Sequence, residues 1–206
     1  MPGDKKLLAT FALSRDHLHH VKDAVAAAAP RRRTSLVAAL GLVWACYQRG
    51  AIKPRDAGPT CLLFPVDHRS RMRPPLPDTY FGNCVGGAFA IAPRSELAAA
   101  GAGGLLAACA AVAAGIDEAV SGGGGDATET MAASTERYRE VIATMGVLSV
   151  AGSPRTGAVA VADSRAGDGG VEVGVCLPPE GMGAFRKCFA DAVAGLDLFG
   201  DAGAHQ

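Results

Sequence analysis

The sequence predicts a mixed α/β (α+β) domain in which helices flank a mixed sheet. Short apolar runs of strand length alternate with longer segments of helical periodicity. The last two strand-like runs, 158–162 and 171–177, are joined by a turn-rich link that indicates an antiparallel hairpin. With 206 residues, 49% of them hydrophobic, the chain can bury a core, so we expect one domain over 1–206.

The first predicted elements are a strand over 7–13 and a helix that begins after Ser14. Ser14 is a favoured N-cap residue, and acidic Asp16 lies in the first turn. One apolar face of this helix is expected to comprise Leu18, Val21, Val25 and Ala28. Pro30 and the arginines that follow it should end the helix.

The middle of the chain predicts a helix and two strands. Thr34 or Ser35 can cap a helix over 36–48. Its expected apolar stripe is Leu36, Leu40, Val43 and Tyr47. A buried strand is predicted over 60–66 and a second over 83–91. The remaining predicted elements are an Ala-rich helix over 96–120 interrupted at 101–104, a flexible Gly-rich break near 121–126, a helix over 128–145 with Arg137 and Arg139 exposed, a short strand over 147–150, and a last helix from Pro178.

Bulk composition excludes several classes of function. The formal net charge is zero, which argues against a nucleic-acid-binding surface. Six scattered cysteines without C-x-x-C spacing predict buried thiols in a reducing compartment, with no disulfide framework and no metal site. No uninterrupted apolar run reaches about 18 residues and no signal-peptide pattern is seen, so we expect no transmembrane helix, no membrane partner and a cytoplasmic location.

The most informative segment, which we call the signature loop, covers residues 66–83 and reads V-D-H-R-S-R-M-R-P-P-L-P-D-T-Y-F-G-N. Three prolines hold its backbone extended. The segment resembles the D-x-R-x-R-x-x-P-P-L-P-x-x-Y-F-G-N signature of plant BAHD acyltransferases, which transfer acyl groups from coenzyme A thioesters to alcohols or amines. The matching residues are Asp67, Arg69, Tyr80, Phe81, Gly82 and Asn83. The alternative is a strand, a basic Pro-rich loop and another strand of an unrelated domain.

The resemblance extends over nearly the whole chain. T-F-A-L-S at 10–14, the segment 35–47, G-V-L-S-V-A-G-S-P-R at 146–155 and the segment 174–185 are similar to stretches of the family's C-terminal half. The subgroup that acts on flavonoid and anthocyanin glycosides, often with malonyl-CoA, is the most similar. The resemblance implies a chloramphenicol-acetyltransferase-like domain, acyl-CoA as co-substrate with no bound cofactor, and a small phenolic acceptor.

Two departures from the family pattern bear on activity. The catalytic H-x-x-x-D loop of the family belongs to its first domain, so we expect the fragment to be inactive alone. The family's D-F-G-W-G segment is missing, because Arg155 runs directly into Thr156, which suggests an internal deletion near 155–156. His19-x-x-x-Asp23 matches the catalytic pattern literally, but we interpret it as a decoy. The two residues share the helix face that points away from the apolar stripe, with no second wall to form a pocket.

Other residues receive narrower expectations. His68 occupies a position that varies in the family, and we interpret it as a loop histidine rather than a base. Asp67 and Arg69 should pair locally, Arg71 and Arg73 should face solvent, and the Asn83 amide should bond nearby backbone. The resemblance also suggests that Arg33, Thr34 and Ser35 approach coenzyme A, whose phosphates suit arginine and hydroxyl donors.

Three interpretations follow from the sequence. The chain is the C-terminal half of a BAHD-type O-acyltransferase, or a non-catalytic truncated paralogue that binds coenzyme A weakly or associates with another acyltransferase chain, or a truncated gene product without a stable fold. Loss of a first domain would expose an apolar interface, which a partner chain could cover.

Overall fold

A computed structural model describes residues 5–26, 34–51, 58–72, 76–121, 127–150 and 157–203. The elements in chain order are β1 (Leu7–Leu13), α1 (Arg15–Ala24), α2 (Ser35–Ala51), β2 (Pro59–Asp67), a 3₁₀ turn (Arg69–Arg71), β3 (Val85–Pro93), α3 (Arg94–Leu97), α4 (Gly103–Ser121), α5 (Ala127–Thr144), β4 (Gly146–Val150), β5 (Ala158–Asp163), β6 (Val171–Leu177) and α6 (Pro179–Gly203). The predicted Gly-rich break near 121–126, the suggested deletion near 155–156 and the helix end at Pro30 fall largely outside these residues.

The strands form one mixed sheet in the order β1-β6-β5-β4-β2-β3. β1 and β5 both pair antiparallel with β6, and β2 pairs antiparallel with β3. β4 lies between β5 and β2 and is parallel to both. The predicted mixed sheet and the antiparallel β5–β6 hairpin are therefore confirmed.

Local sequence signals fix the start of α1. The Ser14 hydroxyl accepts a hydrogen bond from the His17 backbone N–H at 3.1 Å, and the Ser14 N–H donates to His17 Nδ1 at 3.2 Å. This reciprocal arrangement satisfies two backbone donors that a helix start otherwise leaves open. Leu18, Val21 and Val25 are buried as predicted, whereas Ala28 lies outside the described residues.

The main core lies between the sheet and the layer formed by α1, α2, α4 and α6; we call this side of the sheet the helical face. α2 is central to it, because residues 37–46 are all buried. The predicted single apolar stripe of α2 was wrong for Leu36, which is 43% exposed while the opposite side of the helix is covered. A helix surrounded by other elements has no polar side, so helical periodicity cannot mark its orientation.

The opposite side, which we call the outer face, is covered only in part. α5 packs over β2, β3 and β4, where Cys61, Val141 and Val147 form a small second core. Outward side chains of β1 and β5 remain exposed, with Leu8 76% accessible.

Among the residues that the structure describes, one helix, α4, is long and apolar enough to cross a membrane by length and composition. Asp117 and Glu118 interrupt its apolar run, so α4 does not contradict the expectation that was drawn from uninterrupted runs. A core helix passes the same test, and α4 buries Leu105, Cys109 and Val112 in the main core.

The predicted interruption of the Ala-rich helix is also resolved. α3 ends at Leu97 and α4 begins at Gly103, so two helices replace the single predicted one. Gly101 adopts φ +63°, a conformation that glycine reaches without steric cost. The strand predicted from residue 83 begins at Val85, because Asn83 belongs to the turn that precedes it.

Candidate functional site

The signature loop is held by a hydrogen-bond network centred on Asp67 and Arg69. The Arg69 backbone N–H donates to Asp67 Oδ1 at 2.9 Å, and Arg69 Nη1 lies 3.4 Å from Asp67 Oδ2. Arg69 Nη2 also donates to the Gly82 carbonyl at 3.2 Å. Arg69 therefore connects the end of β2 to the approach to β3, and the predicted Asp67–Arg69 pair is confirmed.

A 3₁₀ turn follows β2 and continues this network. The His68 carbonyl accepts hydrogen bonds from the N–H groups of Arg71 at 2.8 Å and Met72 at 3.0 Å. The exposed Arg71 side chain folds back, and its Nη1 donates to the Asp67 carbonyl at 2.7 Å. Arg73, which was expected to face solvent, lies outside the described residues.

The far end of the signature loop contains Tyr80, Gly82 and Asn83. Asn83 Oδ1 accepts the Val85 N–H at 3.1 Å, which confirms the expected amide-to-backbone bond. The Tyr80 ring lies over Gly82 so closely that a Cβ there would displace it. Glycine is thus required for this ring to rest on the loop.

Phe81 faces outward from the signature loop without a covering neighbour. Its side chain is 99% exposed, and the neighbouring Tyr80 is 43% exposed. A fully exposed phenylalanine contributes no burial to this fold. The signature loop therefore presents an aromatic surface outward.

His68 is the one histidine of the chain's described part that is fully buried, with 3% exposure. Its backbone N–H donates to the Cys84 carbonyl at 2.9 Å, and its side-chain Nδ1 has no hydrogen-bond partner among the described residues. Burial, reinforced by the Arg71 charge and opposed by Asp67, lowers the pKa of the His68 imidazole below its usual 6.5. A Cβ on Gly86 would lie 2.6 Å from His68 Nε2, so Gly86 provides the space for this ring.

Two adjoining cavities of about 340 and 320 Å³ lie beside the signature loop, where α5 faces β3. They share Gly87, Phe89 and Ser134 as walls. The first also contains Asn83, Thr135 and Tyr138, and the second His68, Glu118 and Arg137. Ser134 Oγ accepts the Gly87 N–H at 3.1 Å, which satisfies a donor on the edge strand.

These cavities combine an apolar aromatic wall with hydroxyl, amide, imidazole and guanidinium groups. Such a surface can hold a small molecule that carries both an aromatic body and several hydroxyls. Sequence analysis missed Ser134 and Tyr138, because α5 reads as a mostly exposed helix. The available signal was the pair Gly86-Gly87, whose lack of side chains leaves room above β3.

His19 and Asp23 form an exposed ion pair on α1. His19 Nδ1 lies 2.8 Å from Asp23 Oδ2, with the two side chains 68% and 62% accessible. Their face is opposite the buried stripe, as predicted. The expectation that no second wall faces the pair was wrong for Asp23, which lies at the mouth of a separate cavity between α1, α2 and α6.

The residues that resemble a coenzyme A contact lie at the start of α2. Thr34 Oγ1 accepts the Val37 N–H at 3.3 Å, so Thr34 caps the helix. Thr34 is exposed and Ser35 is half-buried, whereas Arg33 lies outside the described residues. In the part of the chain that the structure describes, no group of three His, Cys, Asp or Glu side chains could hold a metal ion.

A family model described as "Transferase family" matches residues 4–144, more than half of the chain. The chain belongs to this family, the BAHD acyltransferases.

Among curated proteins, the chain is 27% identical to a malonyl-coenzyme:anthocyanin 5-O-glucoside-6'''-O-malonyltransferase of Salvia splendens, over 91% of this chain and 44% of that protein. It is 40% identical to phenolic glucoside malonyltransferase 2 of Arabidopsis thaliana, over 40% of this chain and 18% of that protein. The chain therefore spans less than half the length of these relatives.

Solved structures share the fold. F. sporotrichioides TRI101 complexed with coenzyme A and T-2 superposes with TM-score 0.64 at 16% identity, over 89% of this chain and 49% of that one. Vinorine synthase superposes with a TM-score of 0.64 at 15% identity, over 89% of this chain and 47% of that one. These matches confirm the predicted acyltransferase fold class.

Proposed function

We propose that this chain forms part of an acyl-CoA-dependent O-acyltransferase that transfers an acyl group, malonyl in particular, to a hydroxyl of a phenolic or flavonoid glycoside. We further propose that the 206 residues alone have little or no activity, and that the protein acts in the cytoplasm. Its six free cysteines suit a reducing compartment of that kind.

The observation that carries this proposal is the folded signature loop beside the two cavities at β3. The Asp67–Arg69–Gly82 network connects the start of the loop to its end, and Asn83 belongs both to the loop and to a cavity wall. An aromatic wall with clustered hydroxyl and amide groups suits a phenolic ring joined to a sugar. The malonyltransferases of anthocyanin and phenolic glucosides among the relatives support the same substrate class.

The proposed inactivity of these residues alone rests on the catalytic base. Acyl transfer to a hydroxyl needs a general base within hydrogen-bond reach of that hydroxyl, near a group that stabilises the oxyanion. The His19–Asp23 pair is mostly solvent-exposed and lies on α1. His68 is buried and carries no hydrogen-bonded carboxylate on Nδ1 among the described residues. We therefore infer that the base comes from outside this sequence.

Coenzyme A is proposed as the co-substrate, with Arg33, Thr34 and Ser35 among its contacts. The first turn of α2 contains no acidic side chain, so the positive end of the helix dipole is not offset there. A phosphate near these residues would meet helix N–H groups, a hydroxyl and an arginine.

A second candidate, a non-catalytic paralogue that associates with another acyltransferase chain, is favoured by one observation. Leu8 on β1 and Phe81 in the signature loop are 76% and 99% exposed. Large apolar side chains at these exposures are candidates for an interface with a partner chain.

The test joins this chain to the remainder of Arabidopsis phenolic glucoside malonyltransferase 2 and measures malonyl transfer to phenolic glucosides. We expect turnover by the fusion, none by the 206 residues alone, and a strong loss in an Arg69→Gln fusion. His19→Ala in the fusion should keep full activity. A folded fusion without turnover would reject the catalytic proposal and favour the paralogue.

Turnover by the isolated chain that disappears in His19→Ala would instead overturn the decoy interpretation. Coenzyme A binding by the isolated chain, measured calorimetrically, addresses the co-substrate separately. Thr34→Ala should weaken that binding, and Thr10→Ala, an exposed threonine on the outer face, is the matched control.

A further inference from the structure

A third and larger cavity, of about 680 Å³, lies among α1, α2, α4 and α6. Its apolar walls are Ala24, Leu42, Ala45, Leu105, Ala192 and Leu196. The volume falls within the range of natural small-molecule sites. Nothing in the proposed acyl transfer uses this cavity.

The cavity lies at the opposite end of the β2–β3 hairpin from the signature loop. Gln48, near the end of α2, donates from Nε2 to Thr60 Oγ1 at 3.1 Å, which places this end of α2 beside the start of β2. The signature loop follows the other end of β2, after Asp67. Nine strand residues separate the two ends, a span of roughly 26 Å.

Two nitrogen atoms of the cavity lining are buried without a partner. Arg49 donates from Nη2 to the carbonyls of Ala99 and Gly101, the latter at 2.7 Å. Its Nε, however, has no hydrogen-bond partner among the described residues, and neither has His20 Nδ1. A buried polar nitrogen that has lost water without gaining a partner is unfavourable, so the lining leaves polar groups unsatisfied beside its apolar walls.

The carboxylates at the cavity are already paired. Asp23 accepts from His19 at 2.8 Å, and Asp191 Oδ2 lies 2.8 Å from Lys187 Nζ. The lining also contains Arg49. Its described hydrogen bonds go to backbone carbonyl oxygens, and none goes to a carboxylate. Arg49 is therefore the lining side chain that can bind an anionic group without giving up a described carboxylate partner.

We propose that this cavity binds a small amphipathic anion, with an apolar chain or ring against the alanine and leucine walls and a carboxylate at Arg49. The apolar walls provide hydrophobic burial, and the guanidinium provides a charge-assisted hydrogen bond. The site is separated from the signature loop by the length of β2, and Arg49 lies at the opposite end of α2 from Thr34. The ligand is therefore a molecule distinct from the acyl donor and acceptor.

Two glycines of α6 allow a matched test. Gly195 lines the cavity, and a Cβ there would meet no atom within 4 Å, so Gly195→Leu adds bulk at the cavity wall from an unobstructed Cβ. Gly183 lies on the same helix, is exposed, also has open space around an added Cβ, and is not part of the cavity lining. Both substitutions replace helical glycine with a good helix former, so neither should unfold the chain.

The experiment titrates the full chain with octanoate and, separately, with 1-octanol, which has the same apolar body without the charge. We expect octanoate to bind the unmodified chain and Gly183→Leu alike. Binding should be at least about ten-fold weaker for Gly195→Leu, and 1-octanol should bind the unmodified chain at least about ten-fold more weakly than octanoate.

Absence of octanoate binding would overturn the proposal. Equal binding by Gly195→Leu would overturn the location, and equal binding of 1-octanol would overturn the assignment of an anion. Coenzyme A binding by the same variants should be unchanged, so failure here is distinguishable from failure of the proposed acyltransferase function.

Discussion

The two faces of the sheet differ in how closely they are covered. On the helical face, α4 approaches β3 so closely that a Cβ on Gly115 would lie 2.9 Å from the Phe89 carbonyl oxygen. On the outer face, a Cβ on Gly174 would lie 3.7 Å from Ala160 Cβ, an ordinary contact, and Ala160 itself is exposed. The chain gains its stability from close packing of small residues on one face and keeps the other open.

The largest expected effect comes from removing a ring on the helical face. Phe185 is fully buried. The centroid of its ring lies 5.0 Å from that of Phe11 and 5.9 Å from that of Phe189. Phe185→Ala should lower the free energy of unfolding by about 3–5 kcal/mol, because it leaves a cavity. Phe81→Ala should change it by less than about 0.5 kcal/mol. Urea denaturation measures both, and similar losses would contradict the difference between buried and exposed rings.

A smaller loss is expected from added volume at the α4–β3 contact. Gly115→Val should lower the free energy of unfolding by about 3 kcal/mol, because the atoms that the new side chain meets belong to the backbone and cannot rotate away. Gly174→Ala on the outer face should be neutral or slightly stabilising, since glycine weakens a strand. Thermal unfolding of the two variants compares the faces directly. A destabilised Gly174→Ala would show that something closer than Ala160 covers this face.

Acidification should weaken the region around His68. Because the pKa of the folded imidazole is below its unfolded value, the unfolded chain binds more protons between that lowered pKa and about 6.5. Stability contributed by the neutral ring is thus present above about pH 6.5 and is lost as pH falls through the lowered pKa. Urea denaturation at about pH 7.5 and about pH 5.5 measures the effect. The free energy of unfolding should fall more on acidification for the unmodified chain than for His68→Gln. Equal losses would argue against a buried neutral ring.

The smallest effect concerns thiol reactivity, with no change in stability. Burial raises the pKa of Cys46, Cys61 and Cys109 to about 12, so these thiols stay protonated and unreactive near neutral pH. Cys176 and Cys188 are half-buried and should react first. Mass spectrometry after brief alkylation identifies the sites. Labelling of Cys109 as fast as Cys176 would contradict the closed helical face.

Features that depend on neighbouring residues could be predicted from the sequence. β1 and β6 have the predicted bounds, because alternating or continuous apolar runs between turn residues are a local signal. The Ser14 cap and the Asp67–Arg69 pair are equally local. The family resemblance rests on the order of residues in one loop, so it needed no knowledge of the fold.

Features that depend on distant residues could not be predicted. The exposure of Leu36 follows from which elements surround α2, and the sequence of α2 carries no polar side to reveal it. The cavities at β3 form because α5 meets Gly86 and Gly87 from far along the chain. The exposed His19–Asp23 pair could be predicted from helix periodicity, but the cavity beside Asp23 could not, because its other walls come from α2, α4 and α6.

The pairing of β1 with β6 has a consequence for synthesis on the ribosome. β1 ends at Leu13, whereas its partner strand begins at Val171. At a typical 5–20 residues per second, roughly 8–30 s pass between translation of the two. During this interval β1 has no hydrogen-bonding neighbour among the described strands, so Phe11 and Leu13 stay available to chaperones until the last hairpin emerges.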